Sequence, residues 1–271
     1  RTALKFLAID NRYDVIASGS LLGIEYKSIG SIPVGYEKQI TLYPLDFEEF
    51  LWATGVSEDA ISYVKNFFDS HERVDSGINE EMFRKLREYM VVGGMPDVVN
   101  TFIETNNFAE VQKTQDSILA DYNDDISRYA DMVDKPKIRK CYNSIPRQLA
   151  KENKKFQYSA VEKGSTSRKF GDSIQWLIDA NLVTDVHNVS TPILPLSAYA
   201  KEDYFKIYLH DIGLLVAMYG FDLKASILDN TLTGSAKGGL YENLVCDMLT
   251  KRGYKLHYYK NDSNSQKIEF L

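Results

Sequence analysis

The chain has 271 residues, of which 44% are hydrophobic and 26% charged, with a net charge of −6, so it holds enough apolar material for a sizeable core in about two or three domains. No apolar run approaches the roughly 20 residues that a membrane span requires, and the two cysteines, Cys141 and Cys246, have the spacing of neither a disulfide framework nor a zinc site. These features exclude a membrane-spanning protein, a disulfide scaffold and a wholly basic nucleic-acid coat protein, and they predict a cytoplasmic location.

In chain order, Leu4, Leu7 and Ala8 lie at helical spacing, and Val15, Ile16 and Ala17 form a short continuous apolar run closed by Ser18, Gly19 and Ser20. A run without polar alternation suits a strand covered on both faces, as in a parallel sheet, although a buried helix segment has the same signature. A helix that enters such a strand implies an earlier strand. None precedes it, which predicts that the chain is an internal piece of a longer protein. A second strand is expected at Glu37–Leu42, and Asp46 with Glu49 forms a capping box that starts a helix. Helices then dominate. Gly93 and Gly94 end one, and Pro96 opens the next. Phe108, Val111, Ile118, Tyr122, Ile126 and Tyr129 form the stripe of a long amphipathic helix.

Charge changes sign abruptly along the chain. Glu104–Asp134 carries eight acidic residues against two basic ones, whereas Lys135–Lys169 carries eleven basic residues against two acidic ones. Two readings stand side by side: the segments pair with each other or are solvated faces, or the basic one is a nucleic-acid footprint. Its pattern is that of three helices, around Ile138–Leu149, Tyr158–Gly164 and Phe170–Asn181, followed by two short strands, which together describe a winged helix. Arg168 and Lys169 fall in the first turn of the third helix, the one such domains place in a groove. Lys151, Lys154 and Lys155 are expected on phosphates, and Tyr158 is placed to stack on bases. Beyond this, "FKIYLHD" alternates as a half-buried strand, "GGLYENLVCDMLTKRG" is helical, and "YKLHYYK" with "KIEFL" reads as a hairpin. His71, His187, His210 and His257 are scattered without metal-ligand spacing.

The ordered set "DVIASGSLLG", "LYPLDFEEFL", "REYMVVGGMP", "FKIYLHDIGLL" and "GGLYENLV…LHYY…KIEFL" resembles the bacterial and archaeal AAA+ superfamily ATPases that carry a winged helix and a C-terminal domain similar to PD-(D/E)xK nucleases. The resemblance spans nearly the whole chain. It implies an α/β and mainly helical, multidomain fold: a partial P-loop-type parallel sheet in the C-terminal part of an AAA+ core (1–51), a helical lid (52–134), a winged helix (135–200) and a truncated nuclease-like α/β domain (201–271). It also implies that Ser18, with Ser20 beside it, is the sensor-1 group near a γ-phosphate; the alternative is that both are small residues closing a tight turn. ATP and Mg²⁺ are the implied cofactors of the intact protein. None is expected here, because the sequence contains neither G-x-x-x-x-G-K-[ST] nor a Walker B carboxylate.

The nuclease likeness makes Glu242 on a helix and Glu269 on a strand candidate metal ligands, since such sites hold Mg²⁺ through oxygen ligands. Otherwise they are a first-turn helix acid and a solvated strand residue. The matching E-x-K would fall beyond Leu271. Three functions follow: an ATPase acting on or near nucleic acid, able to oligomerise; a non-enzymatic winged-helix module for DNA or a protein partner; and a metal-dependent nuclease.

Overall fold

The computed structural model describes residues 6, 7, 9, 10, 12–19, 38, 40–261 and 266–271. It is mixed α/β and mostly helical, with one small four-stranded sheet among the described residues. The helices are α1 (Phe47–Ala53), α2 (Glu58–Ser70), α3 (Ser76–Val92), α4 (Pro96–Thr105), α5 (Phe108–Tyr129), α6 (Lys135–Leu149), α7 (Tyr158–Val161) and α8 (Ser167–Asp179). Strands β1 (Val183–Val189) and β2 (Ala200–Leu209) follow, then α9 (Ile212–Tyr219), α10 (Phe221–Leu228), α11 (Gly234–Lys251), β3 (His257–Lys260) and β4 (Lys267–Ile268).

The two strands expected before Asp46 are not seen among the described residues. Residues 13–19 are irregular and exposed, with Ile16 98% accessible, and so are Ile40 and Leu42. An inner strand needs hydrogen-bonding neighbours on both edges and cover on both faces, and no described strand pairs with either segment. Glu37 and Gln39 lie outside the described residues, as do Leu4 and Ala8 of the opening helix, in which Phe6, Leu7, Ile9 and Asp10 are helical. From Asp46 onward local signals hold. The Asp46 carboxylate accepts from the Glu49 amide at 2.9 Å, and Glu49 accepts from the Asp46 amide at 2.8 Å, closing the capping box of α1.

The sheet has the order β2-β1-β3-β4, with β1 antiparallel to β2, parallel to β3, and β3 antiparallel to β4. The partner of β1 therefore begins only at Ala200. Pro192 and Pro195 lack the N–H groups that a ladder requires, so residues 190–199 form a loop with a short 3₁₀ turn at Leu196–Tyr199 instead of the expected second wing strand. "FKIYLHD" is that second strand. It is covered on both faces, since Phe205, Lys206, Ile207, Tyr208 and Leu209 are all buried.

Sheet and core run across the expected boundaries at 134/135 and 200/201. α9 is apolar all round and buried, and it packs against α3, α5, α6 and α11. The Asp211 carboxylate caps it through the Leu214 amide at 2.8 Å and also accepts from the Gly94 amide at 2.7 Å. A Cβ on Gly94 would meet the Leu45 backbone, and one on Gly213 would meet the backbone of Val92 and Gly93. The glycines of "GGMP" and "DIG" thus let two chain segments touch backbone to backbone.

Candidate nucleic-acid interface and the charged cluster behind it

α6, α7 and α8 lead directly into the β1–β2 ladder. α8 buries Phe170, Ser173, Ile174 and Leu177 and turns Arg168, Lys169, Asp172 and Gln175 outward. Its amphipathic period alone dictates that split. Gln175 donates to Asp179 at 2.9 Å, so the outward face is mixed in charge.

No ion pair among the described residues joins the basic segment to the acidic helix α5, although Arg139 reaches that helix through hydrogen bonds. Lys137 meets Asp134 at 2.9 Å, and Lys140 and Lys169 share the Glu162 carboxylate, which their hydrogen bonds hold down at about 2. Arg139 donates to the Asn123 carbonyl and the Ser127 hydroxyl, and Arg147 to the Ala160 carbonyl. Lys155 lies with its ammonium 3.2 Å from the centre of the half-exposed Tyr204 ring, a cation–π contact. Lys151, Lys163 and Arg168 are exposed and have no partner among the described residues.

Lys154 departs from the expectation of a phosphate contact. It is buried, and its Nζ is 3.1 Å from Glu242 Oε1. The other oxygen of Glu242 accepts from Lys206 Nζ at 2.9 Å and from Tyr208 Oη at 3.0 Å. Lys206 Nζ is also 2.5 Å from Glu269 Oε2, and Lys267 pairs with the remaining oxygen of Glu269. The two acids singled out in the sequence thus converge, but on an ammonium. Burial raises the Glu269 carboxyl, and the hydrogen bonds from Lys206 and Lys267 overcome it, leaving its pKa below the usual range. The Tyr208 hydroxyl is pushed well above its ordinary range by burial and by the Glu242 charge. Glu242 sits mid-helix in α11, which begins at Gly234, and so is not a first-turn acid. No group of three His, Cys, Asp or Glu side chains among the described residues is placed to hold a metal ion.

Lys206 is the residue that the sequence did not single out. In "FKIYLHD" it falls on the polar phase of an alternating strand and reads as solvent-facing; only its pairing with two distant carboxylates brings it inside. Ser18 is exposed in an irregular stretch, and Ser20 lies outside the described residues. Cys141 and Cys246 are buried free thiols, with Cys141 pushed up to about 12 by burial, so neither is a ready nucleophile. Tyr158 is half-buried and makes T-shaped ring contacts with Phe156 and Phe205.

The domain of unknown function DUF8612 matches residues 83–225, more than half of the chain. The chain belongs to the DUF8612 family. The matched region runs from α3 into α10, so the DUF8612 domain contains Lys154, Lys206 and the helices and strands around Arg168, while Glu242 and Glu269 lie after it. Comparison with curated proteins and with solved structures found no match. No helix among the described residues is long and apolar enough to cross a membrane.

Proposed function

We propose that this chain is a nucleic-acid-binding, non-catalytic part of a protein of the AAA+ ATPase type, contacting duplex DNA through a winged helix formed by α6–α8 and β1–β2. The observation that carries the reading is the order of three helices and an antiparallel ladder, with Lys163 and Arg168 exposed and unpaired around the start of the third helix. Such a helix enters a groove by its N-terminal residues, and free cations beside it neutralise phosphates. ATP and Mg²⁺ would be handled by a phosphate-binding loop that this sequence does not contain. The metal-nuclease alternative loses support from the cluster itself, because Lys206 already neutralises the two carboxylates that would bind the ion.

The test is fluorescence anisotropy of a labelled duplex with the parent and with the Lys151→Ala, Lys163→Ala, Arg168→Ala triple variant. The parent should bind at low salt, and the variant should bind at least tenfold more weakly with an unchanged melting midpoint. A parent that does not bind duplex, or a triple variant that binds equally well, rejects the reading.

A further inference from the structure

A cavity of about 270 Å³ opens between α5, α8, the β2–α9 junction and the start of α4. Its volume falls just below the roughly 300–1,000 Å³ typical of small-molecule sites, so only a small ligand fits. Five aromatic side chains line it: Tyr43, Tyr122, Tyr142, Trp176 and His210. Most of the rest of the wall is aliphatic, including Met95, Leu182 and Leu214. The charged side chains among its lining residues are two carboxylates, Asp125 and Asp211, and no lysine or arginine is among the described residues that line it.

The charged side chains of the described wall are thus all acidic, while Lys251 acts on His210 and Asp211 from outside it. Burial first, and then the charges of Asp211 and Asp125, push the Tyr122 hydroxyl well above its ordinary range. Burial, assisted by Lys251, lowers His210 to about 4 against the opposing pull of the Asn181 backbone, so its imidazole is neutral near pH 7 and adds no positive charge. Asp211 is fixed by the amides of Gly94 and Leu214, whereas Asp125 is half-buried on α5.

Aromatic walls attract cations through the ring quadrupole, most strongly when the cation is weakly hydrated and carries apolar substituents. Aliphatic neighbours suit methyl groups, carboxylates supply the countercharge, and a described wall without lysine or arginine disfavours phosphates and other anions. We propose that this cavity is a binding site for a small methylated ammonium ion, with Asp125 as its countercharge. The site is separate from the proposed duplex surface, and the inference does not depend on that reading.

The chain has two tryptophans, and Trp52 lies half-exposed on α1 away from the cavity. In a Trp52→Phe background the emission of Trp176 alone reports the site. Tetramethylammonium and choline are titrated to tens of millimolar at constant ionic strength, beside 3,3-dimethylbutan-1-ol, the uncharged isostere of choline, and an N-acetyl trimethyl-lysine amide. Saturable changes are expected with the cations and at least about tenfold weaker binding of the neutral isostere, as a cation–π and charge contribution of that size implies. The tighter of choline and the lysine amide identifies whether the ammonium arrives as a free solute or on a side chain. Asp125→Asn should weaken the cations about tenfold and leave the isostere unchanged; Tyr43→Leu, at a half-buried wall residue, should weaken them as well and serves if Asp125→Asn disturbs folding. No saturable response, or equal affinity for choline and its isostere, overturns the proposal.

Discussion

Lys154 Nζ stands 3.1 Å from Glu242 Oε1, with both side chains nearly buried, and this contact joins the segment after α6 to the middle of α11. It is the outer member of a chain of charges that continues through Lys206 and Glu269 to Lys267. A lysine read from the sequence as a phosphate contact is thereby an internal tie between the region of the three helices and the end of the chain.

Removing one partner of a buried ion pair leaves the other uncompensated, at about 3–5 kcal/mol. Lys206→Met should cost about 3 kcal/mol, near the lower end, because Glu242 keeps Lys154 and Tyr208 and Glu269 keeps Lys267. Urea unfolding measures it, and a loss below about 0.5 kcal/mol would show that the cluster contributes little. Added Mg²⁺ should not raise the parent's melting midpoint, since the ammonium already occupies the space between the carboxylates.

Lys154 and Arg168 should separate stability from binding. Lys154→Met is expected to lower the melting midpoint while leaving duplex affinity at a permissive temperature unchanged. Arg168→Ala should do the reverse. A Lys154→Met protein of parental stability and weakened duplex binding would return Lys154 to the surface role its sequence suggests.

Gly94→Ala and Gly213→Ala each place a methyl group against backbone that cannot rotate aside. Overpacking of this kind costs about 1–3 kcal/mol or more. Both variants should unfold at lower denaturant than a control at Gly171, where a Cβ meets nothing within 4 Å. Parental stability of Gly213→Ala would mean that α3 and α9 are not in backbone contact, and of Gly94→Ala that the α3–α4 turn does not rest on the Leu45 backbone.

His210 is held neutral, its pKa lowered by burial to about 4 from 6.5. Below the unfolded value the unfolded chain takes up a proton that the folded one refuses, so stability is lost as pH falls from about 6.5 towards 4, by about 3 kcal/mol in total. His210→Gln should flatten this part of the stability–pH curve relative to the parent. Parallel curves for the two proteins would contradict the burial of His210.

Local signals were legible in the sequence where one element decides its own form. The capping box at Asp46, the stripe of α5 and the hairpin of β3 and β4 required only neighbours a few residues away. The strand at Val15–Ala17 failed because a strand is stabilised by partners, and an apolar run carries no information about whether they are present. The wing's second strand was expected within "LVTDVHNVSTPILPLSAY" but begins only at Ala200, because Pro192 and Pro195 cannot donate to a ladder. Glu242 and Glu269 were singled out by the nuclease resemblance, and the fold does bring them together on one ammonium. Lys206, the group that decides what that cleft holds, was hidden by strand alternation.

The most direct test of the proposed duplex surface is the salt dependence of the parent's own binding. Each phosphate neutralised contributes about 0.9 to the slope of log K against log salt, so Lys151, Lys163 and Arg168 together set a slope of roughly −2.7. Duplex binding measured between about 50 and 200 mM salt should weaken along that slope, and the triple variant should lose nearly all of it. Binding that is absent at low salt, or that stays constant across the range, would contradict a nucleic-acid role for this face.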